Sequence, residues 1–280
     1  MAAIPFPPTS SPGEKAAEGQ GRLINCIVEK DGDQISWKRS PGLSLFCDTA
    51  LTNPRGFLDV NGTLYAAYKD VSATISPTGT VTTLSGALTG TGLVTWARNN
   101  KATTPDVVVV TETGAFSVSS TTVSAFADGD LPGSPTSCAG LDGYIFFGYG
   151  DGKIYATGLN SVAVDGLSFT TAESNPDGVD RLIANGGRLY ALGTASIEVY
   201  SNRGTSPFPF GRDATIPVGL LNKWAVAGAQ PGWDGAPIFV AADGTVRQLN
   251  GYQPQEFPNV SLLQLSPNVR ELHPSPNVSE

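Results

Sequence analysis

Few side chains in this 280-residue chain are suited to catalysis. The one histidine, His273, lies in a proline-interrupted segment near the carboxyl terminus, so a Ser-His-Asp or Cys-His relay has no suitable base. The cysteines Cys26, Cys47 and Cys138 show no Cys-x-x-Cys spacing, which indicates core or near-surface thiols rather than a metal site. The nucleotide-binding motif Gly-x-x-x-x-Gly-Lys-Ser/Thr does not occur. We therefore predict no catalytic residue, no metal site and no cofactor.

Carboxylates are the remaining groups that could carry out a reaction, because a pair of Asp or Glu residues can hydrolyse a glycosidic bond. Most acids, however, lie in turn patterns such as Asp31-Gly32-Asp33, Asp128-Gly129-Asp130 and Asp151-Gly152. Asp favours these turns because its side chain hydrogen-bonds to the nearby backbone. The sialidase-type repeat Ser-x-Asp-x-Gly-x-Thr-Trp is absent from the sequence. The acids are therefore predicted to shape turns.

The four tryptophans could provide a surface on which sugar rings stack. Trp96 and Trp224 lie in apolar stretches and are predicted to pack in the core, whereas Trp37 and Trp233 flank polar turns and are predicted to be exposed. A carbohydrate-binding or glycoside-hydrolysing β-propeller is therefore the alternative function.

The charge of the chain limits its partners. The formal net charge is −8, which disfavours nonspecific binding to nucleic acid and to anionic membranes. The sequence contains no run of 18 apolar residues, and residues 1–12 lack the basic and apolar regions of a signal peptide. We expect a soluble protein, made in the cytosol, that does not bind membranes.

Five similar fifteen-residue windows recur along the chain. They begin at Gly62, Asp106, Gly143, Gly187 and Ala236, which are 44, 37, 44 and 49 residues apart. Each window has two adjacent apolar residues at its third and fourth positions, then a small or polar turn, then a second apolar stretch. Shorter apolar stretches flank most windows, so that each unit has up to four strands.

Four short strands repeated about every 43 residues are typical of a β-propeller. We predict an all-β, β-propeller-like fold with five visible blades and little helix; a β-sandwich or a pair of barrels is the competing fold. Residues 22–48 could supply a sixth blade or the strand that closes the ring. Because adjacent residues of a strand point to opposite faces, each apolar pair should be covered on both sides.

The two ends differ in composition from the repeats. Residues 1–21 are rich in Pro, Gly, Ser and Glu and are predicted to form an extended arm, followed by the propeller-like domain at 22–257 and a tail at 258–280. The tail repeats Pro-Asn-Val three times, and each proline removes a backbone donor. We expect an extended tail that docks on a partner, with a frayed terminus as the alternative.

Several motifs follow one another in an order that resembles a known family. Residues 22–46 contain Leu23-Ile24-Asn25 and Pro41-Gly42-Leu43, and "AESNPDGVDRLIANGGRLYALGTASIEVYSNRGTSPFPFGR" begins at Ala172. "IPVGLLNKWAVA" and "DGTVRQLNGYQPQEF" come next. This series, over about residues 22–257, resembles the packaged-DNA stabilisation proteins of short-tailed bacteriophages, also called tail-hub or nozzle head-completion proteins. Such relatives usually continue well beyond the Gly-Tyr-x-Pro-Gln element, which leaves open where the tail fibres, spikes or needle attach.

The resemblance implies a non-enzymatic structural protein of the virion tail, assembled in the host cytoplasm. It would form a homohexameric ring below the portal and adaptor rings. This ring would close the head, retain packaged DNA and line the ejection channel. Tail fibre, spike or needle proteins would bind on the distal side. DNA would pass through the lumen without sequence-specific binding, which agrees with an acidic lumen that does not hold phosphates.

A set of aromatic and charged residues is predicted to form the subunit or partner interface, since aromatics and Arg carry much of the binding energy at interfaces. The set consists of Arg181, Glu198, Arg203, Phe208, Phe210, Arg212 and Trp233. The loop that carries the two phenylalanines could instead pack over its own blade.

The strand at 197–200 places Glu198 and Tyr200 on the face opposite to Ile197 and Val199. We expect Glu198 to form a structural ion pair with an arginine such as Arg181 or Arg203, within one subunit or between two.

Overall fold

The computed structural model describes residues 26–31, 34–39, 42, 44–172, 174–230, 233 and 235–261. The amino-terminal arm predicted at 1–21, His273 and the second and third Pro-Asn-Val repeats lie outside these residues. Within them every regular element is a β-strand, as expected. No helix in this part of the chain is long and apolar enough to cross a membrane. The chain divides into two compact units, Met1–Asp48 and Thr49–Glu280.

The described part of the first unit contains one antiparallel hairpin. Its strands are β1 (Cys26–Asp31) and β2 (Gln34–Arg39), with Cys26 opposite Arg39. The hairpin is a two-stranded sheet of its own, and each sheet of the second unit is complete without it. Because β1 and β2 pair only with each other, the described residues of 22–48 supply neither a sixth blade nor a strand that closes the ring.

The second unit contains five four-stranded antiparallel sheets, the blades, each built from four consecutive strands. Blade 1 contains β3 (Pro54–Val60), β4 (Thr63–Tyr68), β5 (Val71–Ile75) and β6 (Val81–Thr83). Blade 2 contains β7 (Thr95–Arg98), β8 (Val107–Thr111), β9 (Gly114–Val118) and β10 (Val123–Ala125). Blade 3 contains β11 (Ser137–Leu141), β12 (Tyr144–Gly148), β13 (Lys153–Thr157) and β14 (Val164–Thr171). Blade 4 contains β15 (Arg181–Asn185), β16 (Arg188–Leu192), β17 (Ile197–Asn202) and β18 (Phe210–Ile216). Blade 5 contains β19 (Val226–Ala227), β20 (Ile238–Val240), β21 (Thr245–Asn250) and β22 (Gln253–Ser261).

The adjacent apolar pairs of the five repeats all lie in the second strand of a blade. Both members are buried in blades 2, 3 and 4, as predicted for strands covered on both faces. In blade 5, Phe239 is buried but Ile238 is 37% exposed, and in blade 1 Tyr65 is buried but Leu64 is only half-buried. The expectation of cover on both sides is therefore confirmed for the three middle blades and wrong for one residue in each terminal blade.

The core accounts for this difference. Four hydrophobic clusters occupy the spaces between blades 1 and 2, 2 and 3, 3 and 4, and 4 and 5. Among the described residues no such cluster joins blade 5 to blade 1. A middle blade thus packs on two neighbours, whereas each terminal blade has one such contact.

The first strands of the blades are tied together by side-chain hydroxyl groups. Thr95, the first residue of β7, accepts a hydrogen bond from the Cys138 N–H at 3.0 Å. Ser137, the first residue of β11, accepts one from the Leu182 N–H at 2.8 Å. These bonds satisfy buried backbone donors and fix the spacing of neighbouring first strands.

The last strand extends further than expected. Strand β22 includes the first Pro-Asn-Val and ends at Ser261, four residues beyond the predicted end of the domain at 257. Its pairing with β21 is irregular between the Arg247–Glu256 and Thr245–Ser261 pairs. Pro258 is tolerated there because β22 is an edge strand with a bulge, where the missing N–H breaks no regular ladder.

Candidate functional site

Phe208 and Phe210 are buried inside the chain. Their exposed fractions are 7% and 4%, and both rings pack edge-on against Phe146 of β12, with centroid distances of 6.1 and 4.7 Å. The Thr205 hydroxyl donates to the Phe208 carbonyl at 2.7 Å and holds the loop closed. The structure therefore favours the alternative in which this loop packs on its own chain, where it joins blade 4 to blade 3. The Phe-x-Phe spacing, which puts both rings on one face of an arriving strand, is the sequence signal for this burial.

Glu198 is buried and belongs to a hydrogen-bonded group at the third strand of blade 4. Its side chain is 2% exposed and accepts hydrogen bonds from Tyr200 Oη at 2.6 Å and the Ser174 N–H at 2.8 Å. Arg212 completes the group, with Nη1 3.3 Å from the carboxylate and 2.9 Å from Ser174 Oγ. The expected ion pair forms, but with Arg212 instead of Arg181 or Arg203. Arg212 is the partner because β18 pairs with β17 and places it opposite Tyr200.

Arg203 lies on an exposed surface near this group. It contacts Asp213, which also accepts hydrogen bonds from Ser201 Oγ at 3.0 Å and Tyr252 Oη at 3.1 Å. Burial raises the pKa of Asp213, but these hydrogen bonds and the Arg203 charge outweigh burial and hold the pKa below its usual range. The Arg188 guanidinium lies over the Tyr252 ring at 4.7 Å. We call Arg188, Arg203, Asp213 and Tyr252 the Arg203 surface.

Arg181 and Trp233 lie elsewhere, along a cavity of about 660 Å³ that the first strands of all five blades surround. Its lining includes one apolar residue from each of these strands: Leu58, Ala97, Ala139, Leu182 and Val226. We call it the central cavity. Trp233 is 52% exposed and Trp37 43% exposed, as predicted. Trp96 is partly buried and packs against the cluster between blades 1 and 2, which confirms its predicted place in the core, whereas Trp224 is partly buried at the cavity and belongs to none of the four clusters, so its predicted place in the core is wrong. The predicted interface residues thus do not form one site: five belong to blade 4 and its loops away from the cavity lining, and two line the cavity.

Sequence reasoning did not select several residues that complete these arrangements: Arg188, Asp213 and Tyr252 at the Arg203 surface, and Lys223 and Trp224 beside Arg181. Lys223 and Trp224 lie beside Arg181, with the Lys223 Nζ and the Arg181 Cζ each 4.9 Å from the Trp224 ring centroid. Asp213 organises the Arg203 surface. A Lys-Trp pair before a short strand and an acid in an outer strand are both common in sequences. Without the fold, nothing distinguishes these residues from similar ones that have no role in a site.

The described residues offer little reactive chemistry. Among them no group of three or more His, Cys, Asp or Glu residues could hold a metal ion. Burial raises the pKa of the Cys138 thiol to about 11, which keeps it protonated and unreactive. Asp128 and Asp151 accept backbone hydrogen bonds from residues two positions ahead, as predicted for turn acids.

Comparison with known proteins identifies one family. A family model described as "Bacteriophage P22 Gp10, beta-propeller", of the phage stabilisation family, matches residues 38–235. No curated protein sequence matches the chain at a significant level.

Solved structures of similar shape are remote in sequence. BBS1N in complex with ARL6DN is 14% identical over 85% of this chain and 73% of its own, with a TM-score of 0.49. PorZ, a component of the type IX secretion system of Porphyromonas gingivalis, is 12% identical over 75% of this chain and 29% of its own, with a TM-score of 0.47. A streptogramin B lyase is 10% identical over 85% and 77%, with a TM-score of 0.49.

Proposed function

The chain belongs to the phage stabilisation family of β-propeller proteins, and within this structural role in the phage virion we propose that it forms a ring of the tail hub or nozzle. The match over residues 38–235 carries the proposal, because it spans most of the described blades. The ring contains six copies below the portal and adaptor rings. It closes the head, retains packaged DNA and surrounds the path by which DNA leaves. The protein assembles in the host cytoplasm and acts without catalysing a reaction.

The charges of the chain support passage of DNA without tight binding. The formal net charge is −8. Among the described residues, four arginines are within ion-pair distance of a carboxylate: Arg55 with Glu112, Arg203 with Asp213, Arg212 with Glu198 and Arg247 with Asp243. Paired arginines attract phosphates weakly, and tight phosphate binding would slow ejection through counterion release. We propose that acidic residues face the lumen.

The Arg203 surface is the part of blades 4 and 5 that best suits a protein partner. The Arg203 side chain is 54% exposed and Tyr252 is 43% exposed, so both can contribute area to a contact. Arg and Tyr are enriched at interface centres because one long or aromatic side chain combines apolar area with hydrogen bonding. In the proposed ring this surface contacts the next subunit. Portal and adaptor proteins bind on the head side, and tail fibre, spike or needle proteins on the distal side.

Electron microscopy and light scattering of the full chain, alone and with the portal and adaptor proteins of the same phage, test the proposal. A ring of six would have about six times the 29.0 kDa mass of one chain. Replacing Arg203 with Glu and Tyr252 with Ala should lower ring yield, whereas Glu256→Gln, at an exposed site of β22, should leave it unchanged. A chain that stays monomeric with and without those proteins would overturn the ring, and turnover of a glycan by that monomer would favour the alternative of a carbohydrate-active propeller.

A further inference from the structure

Arg181 occupies a position at which the fold does not require a charge. Thr95, Ser137 and Arg181 are the first residues of β7, β11 and β15. In blades 2 and 3 the hydroxyl at this position bonds the next first strand. Blade 4 carries a guanidinium there instead. Because the two hydroxyl ties show what the architecture uses at this position, the long cation of Arg181 needs another explanation.

The guanidinium of Arg181 has no acceptor in the described part of the chain. Its Nε and Nη1 atoms are buried and have no hydrogen-bond partner there. No carboxylate of the described residues lies within ion-pair distance of it. The Arg181 Cζ lies 4.9 Å from the centroid of the Trp224 ring, and this cation–π contact offsets part of the desolvation cost of the guanidinium. The ring does not, however, accept a hydrogen bond from the N–H groups of Arg181. Buried donors of this kind are normally satisfied, so an unpaired buried charge points to a missing acceptor.

The surroundings of Arg181 carry further positive charge. Lys223 lies over the same Trp224 ring, and its Nζ donates to the Thr136 carbonyl. Burial, and then the positive charge of Arg181, lower the pKa of Lys223, while Asp180 raises it. Burial lowers the pKa of Arg181 to about 10, and the group that opposes this effect is the Cys138 thiol, not a carboxylate. Lys223 thus has a nearby acid, whereas no carboxylate is among the groups that raise the pKa of Arg181.

The central cavity gives Arg181 access to a ligand. Its volume of about 660 Å³ lies within the range of small-molecule sites, which is roughly 300 to 1,000 Å³. Trp96, Trp224 and Trp233 line it together with aliphatic residues of the first strands. The indole Nε1 of Trp96 is a second buried donor without a hydrogen-bond partner among the described residues. The lining is mixed, since it also includes Arg98, Asn100 and Asp142. Unpaired donors beside apolar side chains suit a ligand that has an apolar part and an anionic end.

We infer that the central cavity binds a carboxylate group, which accepts hydrogen bonds from the Arg181 guanidinium. The two oxygens of a carboxylate match the planar fork of Arg, and a single negative charge balances the positive charge of Arg181. A phosphate group carries a charge of about −1.5 to −2 at pH 7, which exceeds the single charge of Arg181. The carboxylate belongs either to a free small acid or to the end of a protein segment. The site lies wholly within one chain and so does not depend on ring assembly.

Titration of the full chain with sodium propionate, at constant ionic strength and with chloride as the replaced anion, tests the inference. Calorimetry should show saturable binding of one propionate per chain, with a parallel change in tryptophan fluorescence because Trp96 and Trp224 line the cavity. Arg181→Met should abolish both signals. Arg181→Lys should weaken binding about tenfold, since it keeps the charge but loses the fork. Arg39→Gln, which removes the same charge from an exposed residue, should bind propionate like the parent.

A stability measurement separates this role from a structural one. Without ligand, Arg181→Met should raise the melting temperature by a few degrees, because an unpaired buried charge is replaced by an apolar chain of similar length. A parent protein that shows no saturable response, or an Arg181→Met variant that responds like the parent, would overturn the site. Tighter binding of inorganic phosphate than of propionate would overturn its assignment to carboxylates.

A further titration distinguishes the two sources of the carboxylate. N-acetylglycine reproduces the end of a peptide chain, whereas propionate has no amide. Tighter binding of N-acetylglycine supports a protein terminus as the natural ligand, and equal or weaker binding supports a free small acid.

Discussion

At the scale of residues, Glu198 is a buried charge whose partners all lie in blade 4 or in the segment that leads to it. Glu198→Ala should lower the free energy of unfolding by about 3 kcal/mol, because it removes a buried carboxylate that accepts hydrogen bonds from Tyr200 Oη and Arg212 Nη1. Glu198→Gln keeps one acceptor oxygen and should cost about 1 kcal/mol. Urea denaturation measures both changes. Glu256→Ala, at an exposed glutamate, is the matched control, and a Glu198→Ala variant as stable as this control would contradict the assignment.

Glu112 makes stability depend on pH at the contact of blades 1 and 2. Arg55, which is 2% exposed, donates to the carbonyls of Gly92 at 2.6 Å and Lys69 at 2.7 Å, and its Nη2 lies 3.3 Å from Glu112. Burial raises the pKa of Glu112, but hydrogen bonds from the N–H groups of Gly92 and Thr91 and the charge of Arg55 lower it to about 2. Since the folded-state pKa lies below the unfolded value, this contribution is present at neutral pH and is lost as the pH falls from about 4.5 towards 2.

The Glu112→Gln variant should therefore have a lower free energy of unfolding than the parent at pH 7, and nearly the same free energy of unfolding at pH 2. Because the Glu112 side chain is 44% exposed, solvent screening limits the expected difference to about 1 kcal/mol. Denaturation of the parent and the variant at pH 7, 4 and 2 measures it, with Glu256→Gln as the exposed control. Parallel pH profiles for the parent and Glu112→Gln would show that the hydrogen bonds to Glu112 do not stabilise the fold.

At the scale of elements, the loop before β18 packs as part of the core. Phe210→Ala should lower the free energy of unfolding by about 3 to 4 kcal/mol, since it removes a ring packed 4.7 Å from that of Phe146. Phe57→Ala is the control, because Phe57 is 68% exposed and its truncation should cost less than about 1 kcal/mol. The measurement is chemical denaturation at a concentration where the chain is unassembled. Unchanged stability combined with reduced ring assembly would return Phe210 to the predicted role of interface anchor.

The blades show which parts of an architecture a repeat can reveal. The five windows predicted the second strand of each of the five blades and left a sixth blade open, because apolar pairs and turns recur with the period of the unit. The repeat could not show that Leu64 and Ile238 would be less covered than their equivalents, since burial depends on whether a neighbouring blade packs there. It could not place Pro258 in a strand either, because tolerance of proline depends on an edge position and a bulge.

The candidate site was harder to predict than the fold. Alternation along β17 correctly placed Glu198 and Tyr200 on the face opposite to Ile197 and Val199. Ile197 and Val199 pack in the cluster between blades 4 and 5, whereas Glu198 and Tyr200 are hydrogen-bonded to each other. The arginine that pairs with Glu198 was chosen wrongly because pairing depends on the register between β17 and β18, which includes a shift after Val199. The register between two strands determines which side chains lie opposite each other, and the residue spacing within a single strand does not predict that register.

At the scale of the whole molecule, the charge distribution predicts that the chain does not bind DNA tightly. A net charge of −8 repels phosphates, and the ion pairs of Arg203 with Asp213 and Arg247 with Asp243 reduce the local attraction that remains. Fluorescence anisotropy with a labelled 30-base-pair duplex should show no binding at 150 mM salt. Replacing Asp213 and Asp243 with Asn frees both arginines and changes the net charge from −8 to −6. This variant should bind weakly at low salt, with an affinity that falls as salt rises, because only phosphate contacts and counterion release would drive it. Micromolar binding by the parent at 150 mM salt would contradict a lumen that lets DNA pass freely.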